Sequence, residues 1–484
     1  METSLYQETR TSEHSVRRSL FPLPFSERRL VLSALDLLAV NGALILALDL
    51  RPGYILDGTL MLRYPLWFLV LSLLWLLVAQ AFDAYDLRVA GRFSSSALAV
   101  LKAGLVTSGV YLLIPYVTPA LPASRSALLA FPLIAVGSLV AARGLYRVAL
   151  SQPAWQHRAL IIGAGWAGRT IAEALAEHSD GSYRIVGFVD DDPAKQGHVL
   201  HVSNLALPVL GTRHVLPDLI RQHHIDTLIL AITHEMHGEL LQVLMDCLEL
   251  GVEIVPMPVL YEQLTGRVPI EHVGSNWYVA MPIHHPLTRP FNRIVKRILD
   301  IVGATLGLVF LALVFPFIAL AIYIDSPGPI FYVQKRVGQG GRIFRAYKFR
   351  TMIPDAEKGQ AVWAQKNDPR VTRVGRILRK THIDEFPQFI NILKGEMSAV
   401  GPRPERPEFV EELAREIPFY RVRHAVKPGM AGWALVKYGY AASKTDAMIR
   451  LQYDLYYIKH WSLWFDLVIL LKTILNTIAL RGRA

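Results

Sequence analysis

Two adjacent carboxylates, Asp384 and Glu385, are the residues of this sequence best suited to chemistry. One carboxylate of such a pair can attack phosphorus while its neighbour holds a divalent cation that neutralises the charge of a diphosphate. An Asp-Glu pair before a proline is usually only the charged first turn of a helix. A basic cluster before this pair, and a rigid loop from Ser398 to Glu405 that presents Arg403, favour the chemical interpretation.

The basic cluster before the pair has the spacing of an amphipathic helix. Basic residues recur on one side and apolar residues on another, namely Arg373, Arg376 and Lys380 against Val374, Ile377 and Leu378. A basic amphipathic helix suits a membrane surface or a polyphosphate. The cluster therefore indicates a membrane surface or a phosphate-rich ligand close to the two carboxylates.

Five short motifs lie around this cluster: Lys348–Met352, Asp384–Gln388, Gly401–Pro404, Lys427–Met430 and Trp464–Asp466. With these motifs, the stretch from about Arg293 to the C-terminus resembles the bacterial polyprenyl-phosphate hexose-1-phosphate transferases, also called monotopic phosphoglycosyl transferases. The whole chain is similar to the long form of that family, which initiates exopolysaccharide, capsule or O-antigen synthesis. The resemblance implies an undecaprenyl-phosphate hexose-1-phosphate transferase.

The resemblance also implies a reaction in two steps. An aspartate attacks the sugar phosphate of UDP-glucose or UDP-galactose, UMP leaves, and undecaprenyl phosphate then takes the sugar phosphate from the enzyme. Matched motif to motif, Asp384 is the nucleophile and Glu385 is the Mg²⁺ ligand. The residues matched to substrate and phosphate binding are Lys348, Arg350, Arg379, Arg403 and Asp466. Because Arg379 and Arg403 favour an ionised carboxylate, we expect Asp384 to attack at neutral pH without a general base.

Cofactor, partners and location follow from the same resemblance. It implies Mg²⁺ as the cofactor, a UDP-hexose and undecaprenyl phosphate as substrates, and a homodimer in contact with membrane lipids. No nucleic acid is expected as a partner. The implied location is the bacterial inner membrane, with several spans and the catalytic domain facing the cytoplasm.

The composition independently predicts a membrane protein with anionic partners. Of 484 residues, 52% are hydrophobic and only 19% are charged, and the net charge is +11. Soluble chains carry about a quarter charged residues. The apolar content excludes a disordered chain, and the single cysteine, Cys247, excludes a disulfide scaffold or a cysteine-rich metal centre.

The N-terminal part predicts a transmembrane four-helix bundle over residues 30–150, preceded by a cytoplasmic segment at 1–29. Its four apolar stretches lie at 30–50, 61–82, 97–117 and 126–148. Each is close to the ~20 residues that a helix needs to cross the hydrocarbon. Basic residues concentrate before the first stretch, in the second connection and after the fourth stretch, which places both ends of the bundle in the cytoplasm.

Short apolar strands alternating with amphipathic helices predict a Rossmann-like α/β domain over 151–285. One strand runs into Gly163, Gly165 and Gly168, and the next strand ends at Asp190, where a ribose ligand is expected. Two interpretations stay open for this domain. The glycine turn binds a nucleotide such as NAD(P), or the glycines serve close packing in a vestigial or regulatory domain.

The catalytic domain, predicted over 286–484 as mainly α-helical, opens with the apolar run 298–324. Basic residues flank this run on both sides, and both flanks therefore prefer the cytoplasmic side, which a straight span cannot satisfy. A helix over 293–324 that breaks at Pro316 and returns reconciles the two flanks. We therefore predict a re-entrant membrane helix at this position.

Two other classes of protein remain open. A membrane nucleotide-sugar dehydratase or epimerase can share the four spans and the Rossmann-like start. Tyr440 and Lys444 have the Tyr-xxx-Lys spacing of that class, but no second glycine fingerprint precedes them. A non-catalytic scaffold for polysaccharide assembly is disfavoured by the intact pair of Asp384 and Glu385. Release of UMP from a UDP-sugar separates the three classes.

Overall fold

A computed structural model describes residues 27–50, 60–122, 124–150, 156–179, 182–232, 238–272, 286–354, 356, 368–439 and 443–479. In chain order these residues form a helical bundle, an α/β domain and a C-terminal domain that begins with a long helix. The predicted cytoplasmic segment at 1–29 falls almost wholly outside the described residues and stays a prediction.

The N-terminal bundle is helical. Its helices are α1 (Glu27–Asp49), α2 (Leu60–Arg63), α3 (Pro65–Ala81), α4 (Leu87–Ala90), α5 (Phe93–Leu113) and α6 (Arg125–Leu150). Buried apolar side chains from α1, α3, α5 and α6 form one core, which includes Leu44, Leu71, Trp75, Val100 and Leu139. The four predicted apolar stretches are therefore helices that pack against each other.

Membrane crossing is possible for most of these helices. By length and composition, α1, α5 and α6 are able to cross a membrane, and so is the long helix of the C-terminal domain. Helix α3 is also apolar but has only 17 residues, fewer than the about 20 that span the hydrocarbon. The described residues thus contain four helices of spanning length, three of them in the bundle.

The middle domain is built on a parallel sheet. Its elements are β1 (His157–Ile162), α7 (Trp166–His178), β2 (Tyr183–Val189), β3 (Val199–Val202), β4 (Leu205–Pro208), α8 (Leu216–His223), β5 (Thr227–Leu230), α9 (Gly238–Glu249), β6 (Glu253–Pro256) and α10 (Met257–Thr265). Four strands pair in parallel in the order β2-β1-β5-β6, and β3 pairs with β4 as an antiparallel hairpin. The structure thus contains an α/β domain, as predicted, whereas its Rossmann-like character and its bounds at 151–285 stay predictions.

The C-terminal domain is mainly helical, as predicted. Its elements are α11 (Pro290–Asp325), β7 (Phe331–Val337), β8 (Ile343–Phe349), α12 (Arg373–Lys380), a 3₁₀ helix (Ile383–Gln388), α13 (Phe389–Lys394), β9 (Ser398–Val400), α14 (Pro407–Glu416), a second 3₁₀ helix (Tyr420–Ala425), β10 (Gly429–Ala431), α15 (Trp433–Lys437), α16 (Lys444–Lys459) and α17 (Leu463–Ile478). Strands β7 and β8 form an antiparallel hairpin, and β9 pairs in parallel with β10. The core of this domain includes Val268 and Ile270, which precede the predicted boundary at residue 286.

Helix α11 is uninterrupted over its 36 residues, and Pro316 lies inside it. The helix assignment thus runs through Pro316 without the predicted interruption, whereas the re-entrant course of residues 293–324 stays a prediction. A proline removes its own backbone donor and crowds the carbonyl group one turn earlier, while the turns on either side keep their hydrogen bonds. The apolar side chains on both sides of Pro316 therefore remain on one helix.

Both ends of α11 contact the C-terminal domain. Near its start, Arg297 donates hydrogen bonds to the carbonyl oxygens of Ile392 and Leu393, at 2.5 and 2.7 Å. At its end, a carboxylate oxygen of Asp325 accepts a hydrogen bond from the backbone N–H of Val374 at 2.8 Å. A helix whose two ends meet one domain is compatible with the predicted placement of both basic flanks on one side of the membrane.

We expect cysteines introduced at Arg293 and Arg342, which are both exposed, to be labelled from the same side of the membrane. A membrane-impermeant maleimide should label neither variant in intact spheroplasts and both after lysis. Tyr116→Cys, 97% exposed between α5 and α6, is the control that should be labelled without lysis. The native Cys247 is buried and should contribute little signal. Labelling of the two variants from opposite sides would restore a straight span.

Candidate active site

The carboxylate pair lies on the 3₁₀ helix that directly follows α12. The chain enters this helix through His382, whose φ of 56° is left-handed, a common way to end an α-helix and redirect the chain. Just after Asp384 and Glu385, the ring of Phe386 packs against Phe310 of α11, with ring centroids 6.2 Å apart. The pair is therefore held between α12 and the long helix.

A second aromatic contact fixes the same segment on α11. The ring of Phe389, which packs against Phe386, sits directly over Gly307. A Cβ atom at Gly307 would lie 2.4 Å from that ring. The segment that carries the carboxylates therefore approaches α11 more closely than any residue with a side chain would permit.

Glu385 is buried between two cations. The Lys348 ammonium contacts Oε1 at 2.7 Å, and the Arg403 guanidinium reaches Oε1 at 2.7 Å and Oε2 at 3.2 Å. This two-point contact is the geometry in which arginine binds a carboxylate most strongly. Burial alone would raise the pKa of Glu385, but Arg403 and Lys348 outweigh it and hold the pKa well below its usual value. Glu385 is thus ionised and held in place.

Asp384 has the opposite environment, although it is the next residue. It is 9% exposed, and no residue in the described part of the chain donates a hydrogen bond to its carboxylate. Burial, and then the charge of Glu385, raise the pKa of Asp384 to about 6, against the opposing effect of Lys348, Arg379 and Arg403. The arginines therefore do favour ionisation, as expected from the sequence, but burial outweighs them. At neutral pH the carboxylate is still mostly ionised.

The loop that presents Arg403 is held by its backbone. Two of its residues are prolines, which have no backbone N–H to donate. The loop is therefore held mainly through hydrogen bonds that its carbonyl groups accept. Four consecutive carbonyl oxygens each accept a hydrogen bond: Pro402 from the N–H of Gly429 (2.9 Å), Arg403 from Arg423 (2.9 Å), Pro404 from Arg336 (3.0 Å) and Glu405 from the N–H of Val337 (2.9 Å). This explains how the sequence Pro-Arg-Pro-Glu forms a rigid support for one guanidinium group.

Buried charges behind the loop complete its support. Arg423 is 4% exposed and pairs with Asp454 at 2.8 Å, which orients the guanidinium that holds the Arg403 carbonyl. The side chain of Glu405 lies between Arg450 at 3.2 Å and Arg336 at 3.7 Å. Burying a charge is costly unless it is paired and hydrogen-bonded, and these groups satisfy that condition among themselves.

A small cavity opens at Glu385. It is lined by Arg336, Ala346, Lys348, Glu385, Gln388, Arg403 and Pro404. Arg336 and Gln388 were not assigned to the site from the sequence. In the sequence, Arg336 is one of several basic residues that follow the long helix, and Gln388 is the last residue of a motif. Neither position carries a signal that would assign it to the site. In the hairpin of β7 and β8, Arg336 pairs with Phe344 and Lys348 pairs with Tyr332, and both cations line the cavity.

Among the residues predicted to contact substrate, the structure brings Lys348, Arg379 and Arg403 to the carboxylate pair. Arg379 donates a hydrogen bond to the hydroxyl of Thr351 at 2.9 Å, and its charge lowers the pKa of Asp384. The other two predicted contacts, Arg350 and Asp466, lie elsewhere.

Arg350 and Asp466 hold the two ends of α11. Asp466 is buried and accepts a hydrogen bond from Lys296, near the start of α11, at 2.6 Å. Arg350 donates hydrogen bonds to the carbonyl oxygens of Ser326 and Pro327, where α11 ends. These contacts assign the two residues to the placement of the long helix, and the structure does not bring them to the cavity.

Comparison with known proteins matches both halves of the chain to families. The family described as "Bacterial sugar transferase" matches residues 291–479, and the family described as "CoA-binding domain" matches residues 80–258. The chain is 30% identical over 346 residues to the UDP-glucose:undecaprenyl-phosphate glucose-1-phosphate transferase of Xanthomonas campestris pv. campestris, covering 69% of this chain and 70% of that protein. The chain belongs to the bacterial sugar transferase family.

Two further relatives show how the similarity is distributed. A putative undecaprenyl-phosphate N-acetylgalactosaminyl 1-phosphate transferase of Bacillus subtilis is 53% identical over 132 residues, covering 27% of this chain and 72% of that protein. The UDP-N-acetylgalactosamine-undecaprenyl-phosphate N-acetylgalactosaminephosphotransferase of Aeromonas hydrophila is 44% identical over 240 residues, covering 50% of this chain. The chain spans about half the length of several relatives, including 56% of the Aeromonas protein.

In this bacterial sugar transferase, the glycines of the middle domain have structural causes. Gly163 has a φ of +107°, and a Cβ there would lie 2.8 Å from the carbonyl oxygen of Ala231. A Cβ at Gly168 would lie 1.9 Å from the carbonyl oxygen of Gly163, whereas Gly165 has no atom within 4 Å of that position. Two of the three glycines are thus required by close packing.

Asp190, the predicted ribose ligand, is already bonded within the domain. Its carboxylate accepts hydrogen bonds from the N–H of Ala164 at 2.7 Å, from Lys195 at 3.1 Å and from the N–H of Asp192 at 2.9 Å. These contacts tie the end of β2 to the glycine turn. They favour the packing interpretation over a ribose contact, and NAD(P) binding stays a prediction.

The residues at the carboxylate pair do not fit a preformed Mg²⁺ site. Both oxygens of Glu385 are engaged by Lys348 and Arg403, and the described residues contain no group of three His, Cys, Asp or Glu side chains able to hold a metal. Mg²⁺ prefers charged oxygens and often takes only one or two carboxylates beside substrate phosphates. Among the described residues, Oε2 of Glu385 accepts only one hydrogen bond, at 3.2 Å, and so keeps a lone pair for a cation, and the role of Glu385 as a Mg²⁺ ligand stays a prediction.

The position of Asp466 predicts the effect of removing its charge. Asp466→Asn leaves Lys296 buried without its partner, so we expect the free energy of unfolding to fall by about 3 kcal/mol or more. The double variant Lys296→Met with Asp466→Asn should lose less than Asp466→Asn alone, because no buried charge is left unpaired. Thermal unfolding in detergent gives both values. If Asp466→Asn instead weakened UDP-sugar binding at unchanged stability, Asp466 would contact substrate, as the sequence suggested.

Proposed function

We propose that this protein transfers a hexose-1-phosphate from a UDP-sugar to undecaprenyl phosphate and releases UMP. The observation that carries the proposal is the asymmetry of the buried pair: Glu385 is clamped by two cations, whereas Asp384 accepts no hydrogen bond from the described residues. A mostly ionised, unclamped carboxylate beside several cations suits attack on a phosphorus that carries negative oxygens.

The reaction then proceeds in two displacements at one phosphorus. A carboxylate oxygen of Asp384 attacks the phosphorus that bears the sugar, and the bond from that phosphorus to the bridging oxygen breaks. UMP leaves with the bonding electron pair, and the hexose-1-phosphate is now linked to Asp384 as an acyl phosphate. A phosphate oxygen of undecaprenyl phosphate attacks the same phosphorus and releases the carboxylate. Both nucleophiles are ionised, so neither step needs a general base.

The cations at the cavity supply the electrostatic part of the reaction. Lys348, Arg336 and Arg403 line the same cavity, so they are placed to contact the phosphates of the donor. Phosphoryl transfer depends mainly on positioning and on charge that stabilises the equatorial oxygens. The rigid loop around Arg403 provides such positioning before the substrate arrives, which reduces the reorganisation needed in the transition state.

The donor class follows from the sequence and from the names of the relatives. UDP-glucose and UDP-galactose are the donors that the resemblance implies, and the names of the Aeromonas and Xanthomonas relatives specify UDP-N-acetylgalactosamine and UDP-glucose. We propose a UDP-hexose donor, tested with a panel of these three compounds. The product would be the first lipid-linked intermediate of an exopolysaccharide, capsule or O-antigen.

Location and assembly belong to the same proposal. The basic residues around the apolar stretches support a multi-pass protein of the inner membrane whose catalytic domain faces the cytoplasm, where UDP-sugars are found. A homodimer remains a proposal. The dehydratase or epimerase alternative is not favoured by the family match, and its Tyr440 lies outside the described residues.

The covalent step predicts an adduct on the wild-type protein. Mixing with a UDP-sugar and Mg²⁺, without lipid acceptor, should add the mass of a hexose phosphate, and hydroxylamine should remove it. Asp384→Asn lacks the charged oxygen, so the adduct should be absent and turnover should fall by roughly 10³-fold or more. Asp218→Asn, an exposed aspartate of α8, is the matched control and should form the adduct normally. Robust turnover by Asp384→Asn would favour direct attack by the lipid phosphate.

The pH dependence should report the ionisation of Asp384. Because the attacking carboxylate must be ionised, kcat should rise with pH through about 6, the pKa of this group. Glu385→Gln removes a negative charge that raises this pKa, so the acid limb should move to lower pH even though the maximal rate falls. Rates measured from about pH 5 to 8 would show the shift. An acid limb that stays in place in Glu385→Gln would assign the titration to another group.

A further inference from the structure

The turn between α3 and α4 joins the membrane bundle to the C-terminal domain. Asp83 in this turn has a φ of 55°, a left-handed conformation that asparagine and aspartate tolerate better than most residues. One of its carboxylate oxygens contacts Lys437 at 2.9 Å, and the other contacts Lys472 at 2.8 Å. Lys437 is the last residue of α15, and Lys472 is a buried residue of α17. One aspartate of the bundle thus holds two helices of the catalytic domain.

The inner side of the same turn is fixed in the bundle. The hydroxyl of Tyr85 accepts a hydrogen bond from the indole of Trp75 at 3.0 Å, and both residues are buried. The guanidinium of Arg143 lies 5.8 Å from the Tyr85 ring and pairs with Asp36 at 2.6 Å, with both charged side chains 1% exposed. Asp83 is therefore presented from a rigid turn.

Helix α15 is also held from the middle domain. The indole of Trp433, its first residue, donates a hydrogen bond to the carbonyl oxygen of Gly266 at 3.1 Å. The ammonium of Lys437 lies 5.2 Å from the centre of the same indole ring. Both ends of α15 therefore depend on contacts with the part of the chain that precedes the catalytic domain.

Helix α15 continues directly from β10, and β10 is bonded to the loop of Arg403. The N–H of Gly429 donates to the carbonyl of Pro402, and the N–H of Gly401 donates to the carbonyl of Ala431, both at 2.9 Å. These are the two loop residues before Arg403. A displacement of α15 is therefore transmitted through a short, hydrogen-bonded strand to the guanidinium that clamps Glu385.

We propose that Asp83 is a positioning residue for the transferase. By holding Lys437, Asp83 fixes α15 and β10 relative to the membrane bundle, and β10 in turn places Arg403. This inference rests on the proposed function, because Arg403 acts on the donor phosphates there. Its physical basis is that a small misplacement of a catalytic cation is costly, whereas the residue that prevents the misplacement need not touch the substrate.

The test uses the full-length protein in detergent and Asp83→Asn, which keeps a residue that tolerates the left-handed turn and removes only the charge. With the donor of the three-sugar panel that wild type turns over best, we expect kcat to fall by roughly tenfold. The acid limb of the pH profile should move to higher pH, because an Arg403 farther from the pair lowers the pKa of Asp384 less. Partial unfolding would reduce the active fraction without moving that limb.

Hydrogen exchange provides a readout that does not depend on activity. The amides of residues 429–437 should exchange faster in Asp83→Asn than in wild type. Asp86→Asn is the matched control in the same turn, because Asp86 pairs only with the half-exposed Arg88 at 3.2 Å among the described residues. It should leave kcat, the pH limb and the exchange rates unchanged. If wild type releases no UMP, the proposed function fails, while the exchange data still decide whether Asp83 holds α15.

A second variant keeps the proposal testable if Asp83→Asn folds poorly. Lys437→Met removes the contact to α15 and leaves the buried Lys472 paired with Asp83, so it should fold and should reproduce the slower kcat and the shifted limb. The double variant should be no slower than Asp83→Asn, since the ion pair that Lys437→Met removes is already lost in Asp83→Asn. The proposal would be overturned if Asp83→Asn kept the kcat, the acid limb of the pH profile and the exchange rates of wild type; Lys437→Met replaces it in this test if Asp83→Asn fails to fold. The proposal would also be overturned if the effects of the two substitutions were additive.

Discussion

The charge of Glu385, buried beside a second carboxylate, is the constraint from which the architecture of the site follows. A carboxylate removed from water must be paired or protonated, and Glu385 is paired by Lys348 and Arg403. Each cation then needs its own support. The hairpin of β7 and β8 supplies Lys348, and a loop with four bonded carbonyl groups supplies Arg403. Both cations contact Glu385, and its neighbour Asp384 accepts no hydrogen bond from the described residues.

The long helix and the carboxylate pair are built as one unit. The helix is tied at its start through Asp466 and at its end through Arg350, while the turn that carries the pair packs on its middle. Residues of the sequence motifs therefore have two different tasks. Some face the cavity, and others hold the helix against which the cavity is formed, so a residue far from the reacting atoms can be as constrained as one beside them.

The sequence predicted those features that depend on local pattern. Apolar periodicity predicted the helices and the parallel sheet, and the charges around Asp384 and Glu385 pointed to the site and to Arg403, whereas Lys348 came only from the family resemblance. The direction of the Asp384 pKa shift was not accessible, because burial dominates it and burial depends on the packing of α11 and α12. Motif matching likewise placed Arg350 and Asp466 at the substrate, since identity and spacing do not tell which way a side chain points. Pro316 was predicted to break the helix because the missing donor is visible in sequence and the supporting neighbours are not.

The contact between Gly307 and Phe389 fixes the rotation of the long helix about its own axis. Each residue of an α-helix advances the chain by about 1.5 Å and rotates it by about 100°. One inserted residue between Lys296 and Gly307 would turn the glycine away from the Phe389 ring and present a side chain in its place. The same insertion would separate the partners of Lys296 from those of Asp325, which are fixed on one domain. The number of residues between these contacts therefore determines the geometry of the active site. Apolar side chains of the helix can be exchanged, but residues cannot be inserted or removed.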